Sequence, residues 1–508
     1  MSDLVESKEK IEKLLTGIEG FDLVTNGGLP IGRSTLLCGT AGSAKTVLAM
    51  QFLVMGAARG ENGVIVTFEE TPADLRRNVK GFGWDLAKLE AEKKLAFVDA
   101  SPRADEERLE AGSYDFGALV ARIEAAIRKV SAKRVALDSI GSIFTQFQDT
   151  AIVRRELHRI AAALKQFGVT ALITSERSEE YGAISRHGVE EFVADNVILL
   201  RNALDLEKRR RTIEVLKFRG TSHQKGEYPF SVNEKGVIVI PLSAIQLKQK
   251  STNKRVTSGS SELDTMCGGG FFRDSIILAS GATGTGKTLM VTGFTAGGIA
   301  QGERCLTFCF EESRGQFFRN AAGWGFDFEK LEKEGSLKVV TDYPEIMPLE
   351  DHLIRMKQAI LDFKPNRVAV DSLTALERVG TERSFREFVI ALTAFVKHQE
   401  MAGLFTSTTP TLLGGASVTE AHISTICDSI ILLRYVEIFG EMRRGLTVLK
   451  MRGSAHDKEI REFIIDGKGM HVGKAFRNVS GIISGQPVQL SVPPEEIERL
   501  RGMFAEHE

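Results

Sequence analysis

Ser34-Thr-Leu-Leu37 followed by Gly39-Thr-Ala-Gly-Ser-Ala-Lys45-Thr46 is an apolar strand pattern that runs into a glycine-rich loop closing on Lys-Thr. The same arrangement returns as Ser275-Ile-Ile-Leu278 and Gly281-Ala-Thr-Gly-Thr-Gly-Lys287-Thr288. The offset is 281 − 39 = 242, and it also pairs Gly17 with Gly259, Asp22 with Asp264, and Glu69-Glu70 with Glu311-Glu312. Downstream the offset is 233, which pairs Asp138 with Asp371, Lys217 with Lys450 and Gly220 with Gly453. The first copy is therefore longer by 242 − 233 = 9 residues between its Glu doublet and its Asp, the mark of a surface-loop difference. Two tandem homologous domains explain this register, with boundaries at 1–247 and 248–508.

A chain of 508 residues is long for one hydrophobic core, and roughly 150 residues per domain is the usual scale. Its 66 basic and 67 acidic residues balance, so bulk electrostatics draw it toward neither nucleic acid nor membrane. Cys38, Cys267, Cys305, Cys309 and Cys427 are scattered and lack zinc-knuckle spacing; they read as reduced core thiols of a cytoplasmic protein. The N-terminal stretch is charged and no 18-residue apolar run occurs, which argues against secretion and membrane spanning.

Strand-like runs alternate with helix-like ones. In the first half the strands read Ser34–Leu37, Gly63–Phe68, Leu95–Val98, Arg134–Leu137, Thr170–Thr174 and Asn196–Leu200. Thr46–Gly60, Gly117–Val130 and Val153–Phe167 read as helices between them. This alternation predicts an α/β fold, a mainly parallel sheet with helices on both faces in each domain. The polar stretch Gln246–Ser258 reads as the linker, and Val492–Glu508 as a docked or mobile tail.

Each loop is a P-loop. Its glycines admit backbone N–H groups to the phosphates, the following helix adds its positive end, the Lys reaches the β- and γ-phosphates, and the Thr holds Mg²⁺. The expected ATP contacts are Gly42, Ser43, Ala44, Lys45, Thr46 and Val47 in the first copy. In the second they are Thr283, Gly284, Thr285, Gly286, Lys287, Thr288 and Leu289. Ala44 replaces a Gly, and its methyl is expected to fit only at negative φ. Asp138 and Asp371 close the strands Arg134-Val-Ala-Leu and Arg367-Val-Ala-Val, the place of an acid that holds Mg²⁺; capping the following helix is compatible with that role. Thr46, Asp138, Thr288, Glu311 and Asp371 are the expected metal positions. Glu69-Glu70 and Glu311-Glu312 end neighbouring strands, where paired carboxylates are costly unless solvated or used. One of each pair is a candidate to orient or deprotonate the nucleophile at the γ-phosphate, alongside the loop lysines.

Lys217-Phe-Arg219 and Lys450-Met-Arg452 place two cations on one strand face. A ring in which each subunit inserts this pair into its neighbour's site would neutralise γ-phosphate charge; solvated strand charge is the alternative. Lys208-Arg-Arg-Arg211 reads as a solvated hairpin turn or protein-docking loop, without the interleaved aromatics of a nucleic-acid surface. Trp84 and Trp324, at swapped positions of matching segments, either pack in the core or line the adenine pocket. The register also sets Glu191-Phe192 opposite Ser424-Thr425, so adjacent hydroxyls occur only in the second copy. They are candidate phosphoryl acceptors, or they cap a turn.

At this point the resemblance becomes specific. Glu-Ala-His-Ile-Ser-Thr-Ile, Lys-Met-Arg-Gly-Ser, Gly-Thr-Ser-His-Gln-Lys-Gly-Glu-Tyr-Pro-Phe and the duplicated P-loops resemble the KaiC family of circadian clock proteins, from about Gly17 through Ser484. The resemblance implies two RecA-like ATPase domains in two-tiered homohexamers, slow ATP hydrolysis in the first tier, and autophosphorylation and dephosphorylation in the second. By the resemblance the acceptors are Ser424 and Thr425, with Thr419 nearby. It implies nucleotide contacts from the neighbouring subunit at Lys217, Phe218, Arg219, Thr221 and His223, and at Arg444, Lys450, Met451, Arg452, Gly453 and Ser454. Trp324 joins the ATP contacts. A KaiB-like protein is the implied partner of the first tier. The tail departs from the part that binds KaiA in cyanobacterial members, which counts against KaiA. Two other readings stand beside this one: a RecA-like DNA-dependent motor, and a nucleotide-gated scaffold with little turnover.

Overall fold

In both halves the strand that leads into the glycine-rich loop lies inside the sheet, flanked by parallel neighbours. The computed structural model describes residues 11–101, 116–144, 149–241, 251–409, 423–482 and 488–489, apart from positions 187, 189, 206, 439, 468 and 478. The chain divides into two compact units, Met1–Gln246 and Leu247–Glu508.

The first unit contains β1 (Ser34–Gly39), α1 (Lys45–Ala58), β2 (Gly63–Thr67), α2 (Pro72–Asn78), β3 (Leu95–Asp99), α3 (Phe116–Val130), β4 (Arg134–Asp138) and α4 (Thr150–Gln166). Next come β5 (Thr170–Glu176), α5 (Glu190–Val193), β6 (Asn196–Asp205), β7 (Lys208–Phe218), β8 (Glu227–Asn233) and β9 (Gly236–Val239). The sheet runs β9-β8-β7-β6-β1-β5-β4-β2-β3. From β6 to β3 every pairing is parallel, and the β6–β9 edge is antiparallel. Residues of these central strands alternate between two cores. Leu37, Ile65, Ala136, Leu172 and Ile198 pack with Leu48, Phe52 and Leu53 of α1. Cys38, Val66, Leu137 and Leu199 pack with Ile123 of α3 and Leu157 and Ile160 of α4. A sheet buried on both faces is why these strands read as continuous apolar runs.

The second unit repeats the plan with β10 (Ile276–Gly281), α6 (Lys287–Ala300), β11 (Cys305–Cys309), α7 (Arg314–Gly323), β12 (Leu337–Thr341), α8 (Leu349–Phe363) and β13 (Arg367–Asp371). It continues with α9 (Glu382–His398), β14 (Ala402–Thr408), β15 (Ser429–Ile438), β16 (Glu441–Met451), β17 (Arg461–Asp466) and β18 (Gly469–Ala475). Its sheet order is β12-β11-β13-β14-β10-β15-β16-β17-β18. Between Asp99 and Phe116 lie 16 residues, against 7 between Thr341 and Leu349; the length difference of 16 − 7 = 9 falls there. Positions 102–115, Thr419 and the tail from 490 onward lie outside the described residues.

Two local expectations are corrected. The stretch Gln246–Ser258 is not wholly irregular, because Arg255–Val256 pairs antiparallel with Phe271–Phe272. Ala44 does not take negative φ: it sits at φ 69°, ψ 28°, in the left-handed region. The loop dictates this, since the residue before the Lys must turn the chain into α1, and Gly286 takes φ 108° at the same place.

Candidate functional site

Each phosphate loop leaves a central strand and enters a helix whose first residue is the loop lysine. Lys45 Nζ donates to the Gly39 and Thr40 carbonyls at 3.0 and 2.9 Å, and Lys287 Nζ to Gly281 and Ala282 at 2.9 Å each. Burial pulls both ammonium pKa values down, opposed by nearby carboxylates: Glu176, Asp138 and Glu69 around Lys45, and Asp371 and Glu311 around Lys287. Thr288 Oγ1 donates to Asp371 Oδ2 at 2.7 Å, so a hydroxyl and a carboxylate converge beside the loop. Such hard oxygen donors fit Mg²⁺. Asp371 is held from behind by Thr406, and Asp138 by Thr174 Oγ1 at 2.6 Å. Burial raises the Asp371 pKa, and the hydrogen bonds from Thr406 and Thr288 oppose that rise.

The two members of each Glu doublet are not equivalent. Glu70 accepts from Asn78 Nδ2 at 3.0 Å and Glu312 from Asn320 Nδ2 at 3.0 Å, which turns each toward the helix that follows. Glu69 and Glu311 are the members that interact with the loop lysines, and Glu311 accepts from Ser372 Oγ at 2.7 Å. Burial raises the Glu69 pKa, reinforced by Glu176 and Asp138; burial likewise raises Glu312, reinforced by Asp371.

The cation pairs and the Ser-Thr pair gather at the opposite end of the sheet. Lys217 Nζ donates to the Glu191 and Ala194 carbonyls at 2.9 and 2.8 Å, and Arg219 lies 3.6 Å from Asp195. In the second unit Lys450 Nζ donates to the Ser424 and Cys427 carbonyls at 3.0 and 2.8 Å. Arg452 donates to the Thr425 carbonyl at 2.7 Å and lies 3.5 Å from Asp428. Asp428 N in turn donates to Ile276 O, at the start of β10, whereas the phosphate loop begins at Gly281 at its end. Five residue steps of about 3.3 Å put roughly 17 Å of strand between them. Asp195 N bonds Ser34 O at the start of β1 in the same way. Phe218 and Met451 are buried, Arg219, Arg452 and Gly453 exposed, and Thr221, His223 and Ser454 half-buried on the turns that follow. Burial lowers the His223 pKa, and its ring stands edge-on to Phe218 at 5.8 Å. A cavity of about 410 Å³ opens beside Arg452 and Gly453, lined also by Phe272, Lys397 and Asp428.

Arg444 is the exception among the contacts grouped with the neighbouring subunit: its Nε donates to Gly284 O of its own phosphate loop at 3.3 Å. Arg211 does the same to Gly42 O at 3.2 Å. The basic run Lys208–Arg211 is therefore not wholly solvated, since hairpin β6–β7 carries Arg211 over the loop. The 233-residue offset between Arg211 and Arg444 was the available signal for this pair. Trp84 is a core residue stacked on Phe82 at 4.8 Å, while Trp324 caps α7 half-buried. Among the described residues no cluster of three His, Cys, Asp or Glu forms a metal site, and no helix is long and apolar enough to cross a membrane.

A family model described as "ATPase: KaiC" matches the chain twice, over residues 14–244 and 256–476. The chain belongs to the KaiC family. It is 66% identical over 502 residues to "Circadian clock protein KaiC3" of Synechocystis sp., covering 99% of each chain. It is 54% identical over 494 residues to "Circadian clock oscillator protein KaiC" of Synechococcus elongatus, covering 97% of this chain and 95% of that one. It is 52% identical to "Circadian clock oscillator protein KaiC 1" of Synechocystis sp., covering 97% and 95%. Both units are thus KaiC-type ATP-binding P-loop domains, and the RecA-like α/β reading of the fold holds for each.

Proposed function

We propose that the chain is the ATP-driven core of a timing system, in which the first domain hydrolyses ATP slowly and the second acts as serine/threonine autokinase and autophosphatase. In this reading ATP lies between adjacent copies of a homohexamer. Lys287 would hold the phosphates, Thr288 and Asp371 would hold Mg²⁺, and that ion would supply charge neutralisation for the phosphates. Glu311 orients the attacking hydroxyl, and the adjacent copy supplies Lys450, Arg452 and the acceptors Ser424 and Thr425. The first domain uses Lys45, Thr46, Asp138 and Glu69 with the adjacent copy's Lys217 and Arg219. A KaiB-like partner on the first tier follows from the family resemblance.

The observation that carries this reading is the separation of roughly 17 Å along β10 between the Ser424–Asp428 segment and the chain's own phosphate loop. Phosphoryl transfer needs reacting atoms about 3–3.5 Å apart, so donor and acceptor belong to different copies. Clasped by Lys450 and Arg452, the acceptor segment arrives at the neighbour's ATP together with the cations that balance its charge. Each phosphate adds about −1.5 to −2 charge at that interface, enough to alter subunit packing.

The test mixes a Lys287→Ala chain with a Ser424→Ala/Thr425→Ala chain and supplies γ-labelled ATP. Label on the Lys287→Ala chain is expected. Verified mixed rings without label would mean transfer within one chain and would overturn the geometry.

A further inference from the structure

The two domains differ at the end of the strand that pairs with the start of each one's own phosphate loop. In β5, Thr174 holds Asp138, and strand alternation brings Glu176, two residues on, out on the same face. The register pairs Glu176 with Gly39, whose carbonyl carries the Lys45 ammonium at 3.0 Å. Adjacent strands lie about 4.8 Å apart, so this carboxylate is rooted one strand away from the lysine. In the second domain Thr406 holds Asp371, and the register pairs Gly281 with Thr408. A hydroxyl thus replaces the carboxylate at the same register position.

The electrostatics follow the difference. After burial, Glu176 is the foremost charge acting on Lys45, ahead of Asp138 and Glu69, and it is also the foremost charge acting on Glu69. Among the described residues, the charges acting on Lys287 are Asp371 and Glu311. Glu176 is partly exposed, and among the described residues it pairs with the exposed Arg186 through a loose 4.0 Å contact.

We infer that Glu176 is a specificity-determining residue that makes water, rather than a protein hydroxyl, the acceptor of the γ-phosphoryl group in the first domain. The inference rests on the ATP chemistry proposed above. Water oxygen bonds to the γ-phosphorus while the bond from that phosphorus to the β–γ bridging oxygen breaks. ADP leaves with the electron pair, and the proton lost by the water passes to Glu69 and then to solvent. A water flanked by Glu69 and Glu176 has a carboxylate acceptor for each hydrogen, which aims its lone pair at phosphorus. In the second domain Thr408 offers no second carboxylate, and the place beside Glu311 is left to the hydroxyl arriving from the adjacent copy.

The experiment uses the full chain with Lys287→Ala, so that phosphate release reads the first domain, and compares Glu176→Gln, Glu176→Thr and Glu176→Asp. Tenfold or greater loss of kcat at unchanged KM for ATP is expected for Gln and Thr, with Asp recovering part of the rate. Thermal midpoint and ATP stoichiometry should match the Lys287→Ala parent. Separately, Thr408→Glu in the otherwise unaltered chain should shift γ-phosphate from Ser424 and Thr425 toward inorganic phosphate. A kcat within twofold of the parent for both Gln and Thr, or a rise in KM alone, overturns the assignment of Glu176. A parent that binds ATP but releases no phosphate overturns the ATPase reading of the first domain, and this inference with it.

Discussion

Exchanging alanine and glycine before the loop lysine should have opposite outcomes in the two domains. Gly286 sits at φ 108°, and a Cβ there would lie 2.6 Å from Phe463 Cε1 and 2.9 Å from Ile465 Cδ1. Left-handed backbone costs an alanine about 1–2 kcal/mol. Overpacking adds about 1–3 kcal/mol, and the stiffer unfolded chain returns about 0.4–1 kcal/mol. Gly286→Ala should therefore destabilise its domain by about 3 kcal/mol. Ala44 already occupies the left-handed well at φ 69°, with its methyl partly buried against the core. In Ala44→Gly the relieved strain is offset by unfolded-state entropy and by loss of a methyl worth up to about 0.8 kcal/mol, so the net change stays within about 1 kcal/mol. The chain has two tryptophans, Trp84 in the first unit and Trp324 in the second. Urea unfolding followed by fluorescence in a Trp84→Phe or Trp324→Phe background therefore reads each domain separately. At a slope of about 1–3 kcal/mol/M, Gly286→Ala should lower the midpoint by about 1 M or more. A midpoint unchanged for Gly286→Ala, or a loss of 2 kcal/mol or more for Ala44→Gly, would refute the reasoning.

Lys217→Ala or Arg219→Ala should slow first-domain hydrolysis far more than it weakens ATP binding, by as much as 10³-fold in the manner of an arginine finger. Unchanged turnover with collapsed binding would make these residues base or ribose contacts instead. Glu311→Gln should suppress labelling of Ser424 and Thr425 with ATP still bound, whereas Glu312→Gln, at a carboxylate tied to Asn320, should cost less than tenfold. Equal losses would remove the distinction within the doublet. Burial pushes the Cys267, Cys305 and Cys427 thiols up to about 12, so iodoacetamide at pH 8 should leave them unmodified in the native chain. Alkylation of Cys427 alone would show that the segment after Thr425 opens.

Much of the architecture was written in short-range pattern. A buried parallel strand must be apolar throughout and a phosphate loop must be glycine-rich, so both copies and their α/β class are legible from Ser34–Thr46 and Ser275–Thr288 alone. The strand-end positions of Asp138 and Asp371 are likewise legible, because each closes an apolar run. The conformation of Ala44 was not, since residue identity argues for negative φ while the loop's exit into α1 imposes the opposite. Nor was the placement of Arg211 and Arg444, because which carbonyl a long side chain reaches depends on how a hairpin folds back, not on local spacing.

By itself the sequence determined the duplication, the fold class, the two phosphate loops and the residues unique to one copy, because each is a matter of composition at fixed intervals. Tertiary structure alone decided direction: strands of a parallel sheet all point one way, so residues before a strand and residues after its neighbour end up at opposite edges. That geometry separates Ser424 and Thr425 from their own phosphate loop, turns Glu69 rather than Glu70 toward Lys45, and sets Glu176 beside Gly39. The bond of Asp428 to Ile276 spans 428 − 276 = 152 positions and the pairing of Glu176 with Gly39 spans 176 − 39 = 137, and such long-range register is encoded by no local pattern.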